Sequence, residues 1–103
     1  MYQVVVLQSV RQTMAAINAQ LINELNAPEA ADRLTEAIIR TVDSLSTMPY
    51  RHPAYRPSRP LRHEYRYTRA RNHLVFYRID QAEQVVTVTH IVHGSQDLDS
   101  YLD

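Results

Sequence analysis

The sequence predicts an α+β domain: an antiparallel sheet packed on an αα-hairpin, with the elements in the order β-α-α-β-β-β. Three observations predict it. Apolar residues recur every three or four positions across two consecutive stretches of the first half. After Pro60 the period changes to two. Between the halves, residues 49–60 hold four of the five prolines and cannot be regular structure for long. The 103 residues fit one domain, 1–103, with a modest core.

The elements follow in order. Residues 2–7 form a β-branched apolar run, short enough for a strand and too short for a buried helix. Ser9 then reads as a helix N-cap, with Gln12 completing an S-x-x-Q capping box. Behind it Val10, Met14, Ile17, Leu21 and Leu25 make one apolar stripe. Asn26-Ala27-Pro28 breaks the pattern, and Pro28 suits the first position of a second helix with Glu29 and Asp32 near its positive end. Ala31, Leu34, Ile38, Val42 and Leu45 are its stripe, and Pro49 stops it near Met48. The short link makes the two helices an antiparallel hairpin.

In the second half Leu61, His63, Tyr65 and Tyr67 alternate with Arg62, Glu64, Arg66 and Thr68, which predicts a strand over 61–68. His73–Asp80 and Val85–His93 read as two more strands, with residues 80–84 between them. The tail from Gln96 is short and acidic and suits one C-terminal turn or short helix. Leu74 and Phe76 are expected to point inward, with Tyr65, Tyr67, Val86, Val88 and Val92. The opposite face then presents Arg62, Glu64, Arg66, His73, Val75, Tyr77, Thr87, Thr89, Ile91 and His93.

Composition narrows the function. With no cysteine there is no disulfide framework, thiolate metal site or cysteine nucleophile. The single Gly94 cannot build a phosphate-cradling glycine loop, which excludes nucleotide-cofactor enzymes of those types, and no cofactor is expected. No apolar run approaches the ~20 residues of a membrane span, and no signal peptide is evident, so a soluble cytoplasmic domain without a membrane partner is expected. Net charge is zero, yet residues 49–80 hold eight arginines against two acids, a net +6, balanced by −6 elsewhere. That segment is suited to an acidic partner or to phosphates. His90 and His93 are three apart on one strand and point to opposite faces, so a shared zinc is not expected.

Several strings in this order resemble the RelE/ParE superfamily of small bacterial toxins from type II toxin–antitoxin pairs. They are Ala27-Pro28-Glu29-Ala30-Ala31-Asp32-Arg33-Leu34, then Leu45-Ser46-Thr47-Met48-Pro49 and Pro60-Leu61-Arg62. Asn72-His73-Leu74-Val75-Phe76-Tyr77-Arg78-Ile79-Asp80 and Ile91-Val92-His93-Gly94-Ser95-Gln96-Asp97-Leu98 complete the series. The resemblance implies a toxin held in a hetero-oligomer by a cognate antitoxin whose C-terminal segment wraps around it. It also implies one of two targets: DNA gyrase in the ParE branch, or the ribosome and its mRNA in the interferases, which are endonucleases.

The strand ending in Phe-Tyr-Arg-Ile-Asp and the His-Gly-x-x-Asp tail look closer to the ParE branch, which implies a non-enzymatic gyrase inhibitor. Two departures from the interferase pattern agree, because His73 and Ser95 stand where interferases often carry arginine. For the alternative, an mRNA endonuclease, the candidate residues are Arg62, Arg66, His73, His93 and Tyr101. The histidines would serve as base and acid, the arginines as phosphate cations, and Tyr77 or Tyr101 as a stacking or proton-relaying group. For partner binding the candidates are Arg62, Arg66, Val75, Tyr77, Ile91 and His93, because an apolar and basic face open to solvent suits a partner better than water.

Overall fold

In a computed structural model, the structure describes residues 1–94, Leu98 and Leu102. The elements are β1 (Gln3–Val6), α1 (Gln8–Asn23), α2 (Pro28–Ser44), a 3-10 turn at Pro49–Arg51, β2 (Arg66–Ala70), β3 (His73–Asp80) and β4 (Val85–His93). The anticipated order therefore holds, and β3 and β4 have the anticipated bounds. The anticipated C-terminal turn falls largely outside the described residues.

The four strands make one sheet in the order β1-β4-β3-β2. β2–β3 and β3–β4 are antiparallel, whereas β1 lies parallel to β4, Gln3 opposite Val85 and Val6 opposite Val88. The sheet is thus mixed, a correction at one pair to the wholly antiparallel expectation. Two helices and two strands intervene before β4, so no hairpin forces β1 and β4 to run in opposite senses.

Apart from Leu25, both helices turn the stripes read from sequence toward the core. Val10, Ala31, Leu34, Ile38 and Leu45 are buried, and Met14, Ile17, Leu21 and Val42 pack against them. Pro28 opens α2, its missing N–H being one that a first turn leaves unpaired anyway. The Ser9 capping box does not form. Leu7 is the N-cap because its N–H still reaches Val88 O of β4 at 3.2 Å, so the strand turns into helix at once and Ser9 lies in the first turn. At the other end α2 stops at Ser44, four residues short of Met48. The Arg51 guanidinium takes the carbonyls of Ser44 (3.3 Å), Thr47 (2.5 Å) and Met48 (3.4 Å), and Met48 adopts φ 48°.

The sheet is covered on both faces. Toward the helices lie Ala70, Val75, Tyr77, Val86, Val88 and Ile91. On the other face Tyr65, Leu74, Phe76 and Val92 pack with Tyr55, Leu61, Tyr67, Leu98 and Leu102. Two expectations are corrected here. The strand expected over 61–68 begins only at Arg66: Tyr55 N–H donates to Tyr65 O at 2.7 Å and Ala54 bridges Arg66, so residues 61–65 belong to the loop that doubles back over the second face. The expected faces are also rearranged. Tyr65, Tyr67, Leu74, Phe76 and Val92 do share one face, but the helices cover the opposite one.

Val86 and Val88 lie with Val75 and Tyr77 because of a bulge in β4. Tyr77 pairs with Val88 and Phe76 with His90, which leaves Thr89 as an extra residue that reverses side-chain parity beyond it.

Candidate functional site

Chain geometry at one end of the sheet opens a groove. The β1 ladder ends at Val88, where the chain turns into α1, so from Thr89 to His93 β4 pairs with β3 on one edge and no described strand continues β1 along the other. Between that stretch and the hairpin lies an open groove of about 1360 Å³. Val10, Ile17, Leu21 and Leu25 line it from α1 and the residues after it, and Ala30 and Leu34 from α2. Leu25, expected in the buried stripe, lies past the end of α1 and is 62% exposed at this groove.

The other end of the groove is polar. Arg71, Asn72, His73, His90 and His93 line it, and no acidic residue does among those described. β2 and β3 are joined by the two residues Arg71 and Asn72, and Arg71 takes φ 56°. That left-handed conformation costs a residue with a Cβ about 1–2 kcal/mol and is usually filled by Gly or Asn. Gly94 N–H donates to Asn72 O at 3.1 Å and ties the end of β4 to this turn.

His73 and His93 are direct cross-strand partners, their rings 5.3 Å apart in an edge contact. Asn72 bridges them. His73 Nδ1 lies 3.0 Å from Asn72 Oδ1, and Asn72 Nδ2 lies 3.3 Å from His93 Nε2. With both imidazoles neutral, His73 Nδ1–H donates to the amide oxygen and the amide N–H donates to His93, which leaves His73 Nε2 as the basic nitrogen. Burial, and then the charge of His93, hold His73 below the usual imidazole range. His73 is 8% exposed and His93 is exposed.

The remaining sequence candidates do not converge on this cluster. Arg66 pairs with Tyr77, four positions along β3 from His73, about 13 Å away at ~3.3 Å per residue. Its guanidinium donates to His52 O (2.6 Å) and Tyr50 O (3.2 Å), lies 5.0 Å from the Tyr50 ring centre and meets Glu64 at 3.4 Å. Tyr77 donates to Pro49 O at 2.6 Å, and burial pushes its phenol up to about 12 against the opposing pull of Arg66 and Arg51. Its O–H is committed to the Pro49 carbonyl and stays protonated near neutrality.

Val75 and Tyr77 are 0% exposed and Ile91 6%, which corrects their expected exposure on a partner-binding face. They are core residues beneath the helices. Arg62 is exposed in the loop, not on a strand, and Tyr101 lies outside the described residues. His90 and His93 do point to opposite faces, His90 making an edge contact with Tyr65. Among the described residues no group of three or more His, Cys, Asp or Glu could hold a metal ion. No helix among them is long and apolar enough to cross a membrane.

Sequence reasoning placed His73 and His93 on one face but missed Arg71 and Asn72. Only a weaker signal was present: the short link between the two expected strands demands a tight turn, and arginine is a costly residue to place there.

No curated protein matches the chain. Among solved structures it is similar to the archaeal RelE–RelB complex from Pyrococcus horikoshii OT3, with TM-score 0.64 and 13% identity over 93% of this chain and 98% of that one. That likeness is one of fold. Residues 4–98, nearly the whole chain, match the family described as "ParE toxin of type II toxin-antitoxin system, parDE". Family match, fold and element order agree, and the chain belongs to the ParE toxin family of type II toxin–antitoxin systems.

Proposed function

We propose that this toxin acts by binding, as an inhibitor of DNA gyrase in the cytoplasm, and is neutralised by a cognate antitoxin seated in the groove between the αα-hairpin and the stretch of β4 beyond the end of β1. The observation that carries the reading is the apolar wall of that groove, together with the separation of Arg66 and Tyr77 from the histidines. Cleavage of a phosphodiester needs a base, an acid and a phosphate-binding cation around one phosphate. Here Arg66 is about 13 Å from His73 by strand geometry and occupied by loop carbonyls, and Tyr77 is locked to Pro49. A groove with an apolar wall supports protein binding instead, since apolar side chains along a peptide find partners there. The presence of RelB with RelE in the similar structure supports an antitoxin as occupant.

The test is to induce the chain alone and with the adjacent reading frame, measuring DNA and protein synthesis side by side. Expected are an early block of DNA synthesis while bulk translation continues, and rescue by the neighbouring product. An immediate, selective stop in translation with transcripts cut on the ribosome would replace gyrase with the ribosome and mRNA. Growth arrest that no neighbouring product relieves would remove the antitoxin.

A further inference from the structure

We propose that Arg71, His73 and His93 form a proton-linked carboxylate site, which reads an acidic side chain at one end of the antitoxin segment and tightens its binding as pH falls. The inference rests on the toxin–antitoxin reading above and concerns the chemistry of that groove.

Charge complementarity favours a carboxylate. From the β2–β3 turn and β3 come Arg71 and His73, and from β4 come His90 and His93. The α1 residues lining the groove include Ser9, Thr13 and Gln20 but nothing titratable, and α2 offers only Ala30 and Leu34. Every described group there that can carry charge is therefore cationic or can become so. A divalent metal would meet the Arg71 cation, whereas a carboxylate would find N–H donors in Arg71 and the imidazoles.

The apolar wall decides between a carboxylate and a nucleic-acid phosphate. Val10, Ile17, Leu21 and Leu34 make a continuous apolar lining. A peptide segment can cover it with side chains and end on one acid, while a charged phosphate chain would have to be stripped of water along it.

Backbone strain at the turn agrees. Arg71 holds a left-handed conformation where Gly or Asn would be cheaper. Strain of that kind gathers at binding sites, where the side chain is needed in place. The turn sets Arg71 directly beside Asn72, which already bridges the two imidazoles.

Proton linkage follows from the same geometry. In the free toxin burial, and then His93, hold His73 below the usual imidazole range and favour its neutral form. A carboxylate brought to the pair favours the imidazolium and raises its pKa, so binding takes up a proton. The gain is complete below the free-state value, under 6.5, and is lost as pH rises through the higher bound-state value. One linked proton permits at most about tenfold in affinity per pH unit.

The test is titration of the full chain with the product of the adjacent reading frame between pH 5.5 and 7.5, at low and high salt. Wild-type affinity should rise about three- to tenfold toward pH 5.5. The double variant His73→Gln/His93→Gln should bind with no pH slope. Arg71→Gln should weaken binding about three- to tenfold at every pH, less so in high salt.

Equal affinity across the range, or a slope that survives in the double variant, overturns the carboxylate site and leaves the toxin–antitoxin reading intact. No complex at any pH overturns both. A single-stranded oligoribonucleotide bound with the same histidine-dependent slope would assign the site to phosphate and overturn the proposal. Should the double variant fail to fold, the wild-type His73 titration read by NMR decides: its pKa must be higher in the complex than in the free toxin, and an unchanged or lower value overturns the proposal.

Discussion

The two ends of β3 carry the same chemistry and use it in opposite ways. At its C-terminal half Arg66, Arg51, His52 and Tyr77 meet the turn after α2. Arg66 clamps the carbonyls of Tyr50 and His52, Arg51 takes those that α2 leaves open, and Tyr77 closes on Pro49. The cations there satisfy backbone, and they do so at a cost, since Arg66 Nε and His52 Nε2 are buried without a hydrogen-bond partner. At its N-terminal end His73, His93 and Arg71 border a groove with no acid among the described residues, one of them on a strained backbone. Residue type therefore says little about role. What each group has around it decides whether it ties down the backbone or borders a groove.

Substitutions at the two ends should separate stability from binding. The largest stability effect is expected at the clamp. Arg66→Ala removes two charge-assisted hydrogen bonds and the stacking on Tyr50, and should cost about 2–3 kcal/mol, a fall in Tm on the order of 10 °C. Antitoxin affinity of the remaining folded protein should hardly change; a large loss would place Arg66 in the interface and break the contrast. Tyr77→Phe keeps the ring but leaves Pro49 O unpaired in the core, costing about 1–2 kcal/mol by denaturant unfolding.

At the groove the signs should reverse. Arg71→Gly relieves the left-handed strain and should raise stability by about 0.5 kcal/mol, the gain being trimmed by the freer unfolded chain. The same change should weaken antitoxin binding. A variant both less stable and fully able to bind would move Arg71 from the ligand side to the structural side.

Acid should destabilise the free toxin through both ends in a graded way. His52 and His73 are each held below the unfolded imidazole value, His52 by burial and then by Arg51. Their neutral forms contribute stability above about pH 6.5, and that contribution is lost as pH falls through the lower folded values. Thermal melts from pH 7.5 to 5 should show the fall, and His73→Gln should flatten part of it. If antitoxin binding tightens over the same range, the complex will gain where the free toxin loses.

The smallest effect is expected at Gly94. A Cβ there would meet Asn72 O at 3.5 Å and the Arg69 guanidinium at 3.6 Å, both ordinary contacts. Gly94→Ala should change stability by less than about 0.5 kcal/mol. A larger loss would show that the turn at Arg71 and Asn72 depends on close approach of this backbone.

Much of the frame was legible because helix periodicity is a local signal. The stripes from Val10 to Leu21 and from Ala31 to Leu45 face the core as read. The sheet faces were not legible, and β3 shows why. His73-Leu74-Val75-Phe76-Tyr77 is buried at every position, so alternation carries no preference for one side. The extra Thr89 in β4 then reversed parity between Val88 and Ile91, and nothing in Val85–His93 marks a bulge. Assigning Val75, Tyr77 and Ile91 to solvent followed from those two facts. The loop arginines misled for a different reason: a local charge count cannot show which carbonyls the chain will bring back to them.

The sequence by itself determined the element order, the two helical stripes, the bounds of β3 and β4 and the resemblance to RelE/ParE toxins, because each depends on neighbours a few residues away. Only the tertiary structure decided which sheet face the helices cover, that Arg66 and Tyr77 serve the fold, and that Arg71 and Asn72 join His73 and His93 at a groove. Those outcomes turn on contacts between residues distant in the chain, where burial and hydrogen-bond partners, rather than residue type, set what a side chain can do.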